Sequence, residues 1–327
     1  EGLKTIEPLR YGITTWEECF TPRQLLVHGT FSQEFEAISQ EIRESLPEME
    51  ADYVLMSLAS LQGKAVNWNS RLASWNVNQQ SMRSVFDRHD LAFKATFAEY
   101  QGASGLYPWT LHVLENIHSN NELMTGTGLS GLDEPDAAQR TRSVTVTRGS
   151  AAELGTYSDG SVAYICMDPP YYDNVMYAEL ADFFYVWERQ RLASVRPSFF
   201  VEPLSDKENE AVANASRFAA NGKRKKELAD LDYESKMTAV FSECKRVLSD
   251  DGLMSVMFTH KRSDAWDTLG SGLLRAGFTI ETSWPVNTEA ENSLHQARQN
   301  SAASTIMLVC RKRETQSQSK VFVDDIE

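Results

Sequence analysis

Val162-Ala163-Tyr164-Ile165-Cys166-Met167-Asp168-Pro169-Pro170-Tyr171-Tyr172-Asp173-Asn174 carries more of the reading than any other stretch of the chain. Residues 162–167 form an uncharged apolar run of strand character that stops at Asp168. Two prolines follow. With no N–H to donate they cannot continue a sheet ladder, so the strand has to end there. Tyr171 and Tyr172 then fall where a loop emerges at the carboxyl end of the strand. In an open α/β sheet that edge is where ligands bind. An acceptor carboxylate, rigid backbone carbonyls and an aromatic face suit a planar base that bears an amino group.

Outward from this run, strands and helices alternate. Upstream, Val144 to Thr147 reads as a short strand. Downstream, about 176–192 is an aromatic-rich helix, and Ser235 to Leu248 is an amphipathic one with Met237, Val240, Phe241, Cys244, Val247 and Leu248 on one stripe. Asp250-Asp251-Gly252 is expected to turn into a strand over Leu253–Phe258. A helix at about 264–275 follows, entered through Ser263 and closed near Gly277. Strands over Phe278–Trp284 and Thr305–Cys310 complete the pattern. The expectation is an α/β fold with a parallel or mixed sheet flanked by helices.

The first third reads as helical. Thr21-Pro22 places a hydroxyl N-cap before a proline at the first helical position, and Phe31, Phe35, Ile38 and Ile42 recur at helical spacing. Further helices are expected at about 51–68 and 106–118. The predicted organisation is a helical region 1–118, a polar linker or loop 119–142, a catalytic region 143–313 with an insertion 193–233, and a polar tail 314–327.

Composition narrows the class. A chain of 327 residues with 42% hydrophobic content can bury one substantial core. No apolar run reaches the roughly 18 residues of a membrane span and no signal peptide is visible. The four cysteines, Cys19, Cys166, Cys244 and Cys310, form no Cys-x-x-Cys pair. Cys166, Cys244 and Cys310 lie in apolar patterns and are expected in the core, which points to a reducing cytoplasm and no zinc. The net charge of −14 argues against a generally basic surface. Nucleic acid remains open, because a local basic groove suffices.

Asp168-Pro169-Pro170-Tyr171 resembles the Asp-Pro-Pro-Tyr motif of S-adenosylmethionine-dependent amino-methyltransferases, which modify adenine N6 or cytosine N4 in DNA. The longer run Asp168 to Trp187 is similar to large adenine-specific DNA methylases found beside bacterial anti-phage genes. Further matches are Phe20 to Leu26, Met237 to Phe241, Val256 to Lys261 and Ser301 to Thr305, so the resemblance spans roughly Tyr11 to Arg313. It implies a methyltransferase-type, Rossmann-like sheet and methyl transfer to a base flipped out of double-stranded DNA. Adenine N6 is the expected target, in restriction or phage defence, with other phage-defence proteins as candidate partners.

The resemblance also assigns roles. The Asp168 side chain and the Pro169 carbonyl would accept from the two N–H groups of the amine, Pro170 would stiffen the turn, and Tyr171 would stack on the base. No metal is needed. Phe20-Thr21-Pro22 is similar to the element that lies against the methionine end of the cofactor, or is simply a capped helix start. Ser150, in Gly149-Ser150-Ala151, stands where related enzymes often have an Asp near the cofactor adenine, which puts that contact in doubt. The Gly-rich cofactor loop and its strand are not found. In the resembled family they precede Phe20, so their place would lie before Glu1. Gly126-Thr127-Gly128 and Gly131 follow no strand and read as loop.

Arg217 to Lys226 carries five cations, Arg217, Lys223, Arg224, Lys225 and Lys226, and no acidic residue. It reads as a phosphate contact or a solvated loop. His260 either lines the pocket or finishes its strand, and Asn287, Glu289 and His295 lie in a polar loop. RNA or protein-glutamine methylation, and a non-catalytic nucleic-acid-binding subunit, are the competing readings.

Overall fold

The computed structural model describes residues 2, 4–86, 89–125, 145–286 and 305–313. The chain divides into two compact units: Glu1–Thr147 with Tyr177–Glu210, and Arg148–Met176 with Ala211–Glu327.

The second unit is built on a mixed α/β sheet. Strand β3 (Val162–Met167) pairs in parallel with β4 (Leu248–Phe258), with Ile165 opposite Met254 and Met167 opposite Val256. Strand β6 (Thr305–Lys312) lies antiparallel between β4 and β5 (Phe278–Val286), giving the order β3-β4-β6-β5. Helix α6 (Lys225–Val247) lies in the crossover from β3 to β4, and α7 (Ser263–Ala276) joins β4 to β5. Both helices feed one core, where Tyr233, Met237, Phe241, Leu269 and Leu273 pack with Met254, Val256, Phe258 and Phe278 of the sheet. Each such side chain contributes about 1.5–3 kcal/mol on burial. Gly277 ends α7 at φ +87°, the left-handed cap that a glycine adopts without a Cβ penalty.

Several local expectations change. Asp250-Asp251-Gly252 is not a turn before β4 but an irregularity inside it. Val162 pairs with Leu248 and Tyr164 with Leu253, so extra residues of β4 are accommodated against β3 as a bulge. A Cβ at Gly252 would lie 2.9 Å from the Ser249 carbonyl oxygen, so the close approach needs glycine. Helix α6 begins ten residues before Ser235, because Ala229 and Tyr233 extend the buried stripe. Cys166 is exposed rather than in the core, since among the described residues β3 is the end strand and pairs with β4 alone. Of the strand expected over Val144 to Thr147, residues 145–147 form none and Val146 is exposed, while Val144 lies outside the described residues.

The first unit is largely helical: α1 (Ile6–Arg10), α2 (Pro22–Ser45), α3 (Glu48–Trp68), α4 (Gly102–Thr125) and α5 (Tyr177–Leu192). A small hairpin, β1 (Ser74–Asn76) with β2 (Ser81–Arg83), was not signalled by any turn pair in the sequence. Thr21 caps α2 as expected. Its hydroxyl accepts from the Gln24 N–H while the Gln24 side chain accepts from the Thr21 N–H. Phe35, Leu55, Ala59 and Val195 form one apolar cluster, and Leu61, Ala65 and Trp109 another. The α4 backbone stays helical through Thr125, into the stretch read as linker from 119. Residues 193–233, read as one insertion, are shared between the two units. Among the described residues no helix is long and apolar enough to cross a membrane.

Candidate functional site

The site is the loop that leaves the carboxyl end of β3. The apolar strand stops where the prolines remove two N–H donors, and Asp168, the next residue, is exposed. The Tyr171 hydroxyl donates to Asp168 Oδ1 at 2.6 Å, and its ring meets Phe258 of β4 edge-on at 5.5 Å. Pro169 is buried, while Pro170 and Tyr171 are half-buried. The four residues therefore set a carboxylate, a stiff backbone and an aromatic ring at one strand end.

Tyr172, the next residue along, is held from several sides. It adopts φ +58°, a left-handed conformation that a bulky side chain rarely takes. Its N–H donates to the Pro170 carbonyl at 3.0 Å, and its own carbonyl accepts from the Ala213 N–H at 2.9 Å. Its hydroxyl donates to Asp230 of α6 at 2.5 Å. Burial, then the Asp230 carboxylate, push the Tyr172 phenol well above its usual range. The Tyr233 ring meets Tyr172 edge-on at 5.2 Å, and the Tyr233 hydroxyl donates to the Pro170 carbonyl at 3.0 Å.

Asp173 is clamped from the end of β4. His260 Nε2 donates to Asp173 Oδ1 at 3.0 Å, and Arg262 Nη1 to Oδ2 at 2.9 Å. The hydrogen bond from His260, with the Arg262 guanidinium beside it, holds the Asp173 carboxyl below the usual carboxylate range. His260 Nδ1 accepts from the Arg262 N–H at 3.2 Å, which assigns the proton to Nε2. Both ring nitrogens are thus engaged within the protein, and His260 braces the loop. The Arg262 guanidinium also lies over the Tyr172 ring, 5.3 Å from its centre.

The expected basic run splits by environment. Arg217 Nη1 pairs with Asp232 at 2.7 Å, so it serves the fold, and Asp232 also takes Lys236. Lys223, Arg224, Lys225 and Lys226 are exposed at the start of α6, with Arg224 paired to Glu227. That end of the helix has no side-chain cap. Cations beside a helix N-terminus oppose its dipole by about 0.3–1 kcal/mol each, a cost that a bound anion would reverse.

The residues expected to meet the cofactor are engaged in local structure. The Phe20 ring is buried and stacks on Phe183 at 5.7 Å within the first unit. The Thr21 hydroxyl caps α2 and donates to Glu99 at 2.6 Å, and Pro22 is the first residue of α2. Ser150, in the second unit, is exposed, and its hydroxyl accepts from the Ala152 N–H at 3.2 Å. Among the described residues no glycine-rich loop follows a strand. Gly126-Thr127-Gly128, Gly131, Asn287, Glu289 and His295 lie outside the described residues.

Sequence reading missed Asp173, Asp230, Tyr233 and Arg262. Arg262 could have been suspected two positions beyond His260, and Tyr233 one helical turn before Met237. Nothing local marks Tyr172 as left-handed.

No protein-family model matches the chain, and no curated protein matches it. Among solved structures, the chain is similar to one from Thermus thermophilus described as a candidate DNA modification methylase. The similarity has a TM-score of 0.27 at 11% identity over 51% of each chain, too slight to argue from. The chain spans about half the length of that structure.

Proposed function

We propose that this chain holds the exocyclic amine of a nucleobase in DNA, adenine N6 in the first place, for methylation by S-adenosylmethionine in restriction or phage defence. The observation that carries the reading is the exposed Asp168 carboxylate at a strand's carboxyl end, followed by a proline turn whose Pro170 carbonyl is pinned from α6.

An exocyclic amine is a poor nucleophile because its lone pair is delocalised into the ring. Acceptors on both of its N–H groups favour a more tetrahedral, reactive nitrogen. The carboxylate supplies one acceptor and the Pro169 carbonyl the other. Tyr171 offers a face on which an extruded base stacks, at about 1–3 kcal/mol per base. The donor, a sulfonium, supplies the electrophilic methyl group. Asp168, Pro169 and Tyr171 bind and orient its acceptor, and positioning is a main source of acceleration in such transfers. The cations at the start of α6 suit phosphate contact.

The test is tritiated methyl transfer from S-adenosylmethionine to unmethylated genomic DNA, total RNA and protein extract, with Asp168→Ala beside the wild type. Label in DNA that vanishes in the variant supports the reading. Label only in RNA or protein replaces the substrate, and no label in any of the three removes the enzymatic reading.

A further inference from the structure

We infer that Tyr233 is a positioning residue for the candidate site, fixing through one hydrogen bond from α6 the turn at Pro170 and with it the place of Tyr171. The inference rests on the reading of Asp168-Pro169-Pro170-Tyr171 as the amine-holding loop.

Two successive prolines leave little freedom. Each ring fixes its own φ near −65°, and Pro170 also confines Pro169 to extended ψ. The remaining soft angle is the ψ of Pro170, which turns the Pro170 carbonyl and the chain beyond it. That carbonyl takes two donors, the Tyr172 N–H and the Tyr233 hydroxyl, each at 3.0 Å. Both donors engage the Pro170 carbonyl, the last group before Tyr171.

The Tyr172 N–H alone cannot secure the turn, because it depends on Tyr172 staying at φ +58°, an unfavourable conformation. Tyr233 supplies a donor from outside the loop. Its side chain is fully buried on α6 and packs edge-on against Tyr172, so one residue holds both the carbonyl and the strained ring. Without the Tyr233 hydroxyl the Pro170 carbonyl keeps one partner on a strained residue, and the ψ of Pro170 is free to relax. Tyr171, the first residue beyond that angle, then presents its ring to a base out of line with the Asp168 carboxylate that its hydroxyl meets. A misplacement near 1 Å in such a site lowers rate on the order of 100-fold, without any direct contact to the substrate.

The experiment compares the wild type with Tyr233→Phe, which keeps the ring and removes only the hydroxyl, and with Cys244→Ala. Cys244 is buried on the same helix three turns away and serves as a control for reduced stability. Methyl transfer from S-adenosylmethionine to unmethylated genomic DNA gives kcat and KM, thermal melting gives stability, and amide hydrogen exchange reports residues 171–174. The expected result is that Tyr233→Phe lowers kcat by about 10- to 100-fold with KM for DNA unchanged, and speeds exchange at the Tyr172 amide but not along α6. Cys244→Ala should lower the melting temperature while kcat holds.

Equal kcat in Tyr233→Phe and wild type overturns the inference and leaves the functional reading standing. Equal loss of kcat in both variants also overturns it, because stability alone then explains the effect. A wild-type chain that transfers no methyl group to any substrate fails the functional reading, and the positioning role falls with it.

Discussion

At the scale of single residues, Asp168 is not a bare carboxylate, because the Tyr171 hydroxyl already donates to Oδ1 at 2.6 Å. A carboxylate has about four lone-pair sites, so an amine can still be accepted. Removing the hydroxyl should therefore be mild and removing the ring severe. Tyr171→Phe is expected to retain methyl transfer within about threefold, whereas Tyr171→Ala forfeits stacking of about 1–3 kcal/mol and raises KM by roughly 5- to 150-fold. Initial rates against DNA concentration check both. Asp173 gives a pH prediction. Its folded pKa lies below the ordinary 3.8, through the hydrogen bond from His260 and the Arg262 charge. A depressed folded pKa contributes stability that is present above the unfolded value and disappears as pH falls through the folded one. Urea midpoints should thus fall below about pH 4 in the wild type and fall less steeply in Asp173→Asn, which begins less stable at neutral pH. The effect is modest, because the Asp173 side chain is 36% exposed. The Asp-Pro-Pro-Tyr stretch was legible because its chemistry is contiguous. The clamp on it was not, because Tyr172 is held by Asp230 and Ala213, and Asp173 by His260 and Arg262.

Among elements, those with a local cause for starting or stopping were the ones read well. Thr21-Pro22 opens α2 because hydroxyl, proline and Gln24 act within four residues. Thr21→Ala should lower stability by about 1 kcal/mol (range roughly 0.5–2), seen as a lower melting temperature. The same substitution tests the assignment of Thr21 to the cofactor. A cap alone predicts that the affinity for S-adenosylmethionine, measured by calorimetry, is unchanged, and a tenfold loss would support the cofactor role. Gly277 ends α7 for an equally local reason. Strand β4 was misjudged because Asp250-Asp251-Gly252 has turn composition, whereas its pairing with β3 absorbs those residues as a bulge. The start of α6 was placed late because Lys223 to Lys226 look like loop, and only the burial of Ala229 and Tyr233 extends the helix to meet them.

For the molecule as a whole, the charge of −14 means that the DNA contact proposed above would have to be local. Under the proposed function the exposed cations at the start of α6 are the candidate place for it, since Arg217 is engaged with Asp232. Replacing Lys223, Lys225 and Lys226 together by Gln is expected to flatten the slope of log K against log salt by about 0.9 for each phosphate no longer neutralised. Binding to mixed-sequence DNA between about 50 and 200 mM salt measures it, and an unchanged slope would return these residues to plain solvated surface. The sequence by itself determined the alternation of strands and helices, the strand that stops at Asp168 and the chemistry offered there, because periodicity, proline and side-chain type act over a few residues. Tertiary structure alone decided the strand order with β6 antiparallel between β4 and β5, the exposure of Cys166 on an end strand, and the anchoring of the loop by Tyr233, Asp230, His260 and Arg262. Those depend on hydrogen bonds and burial between residues about 60 to 90 positions apart, which no local pattern encodes.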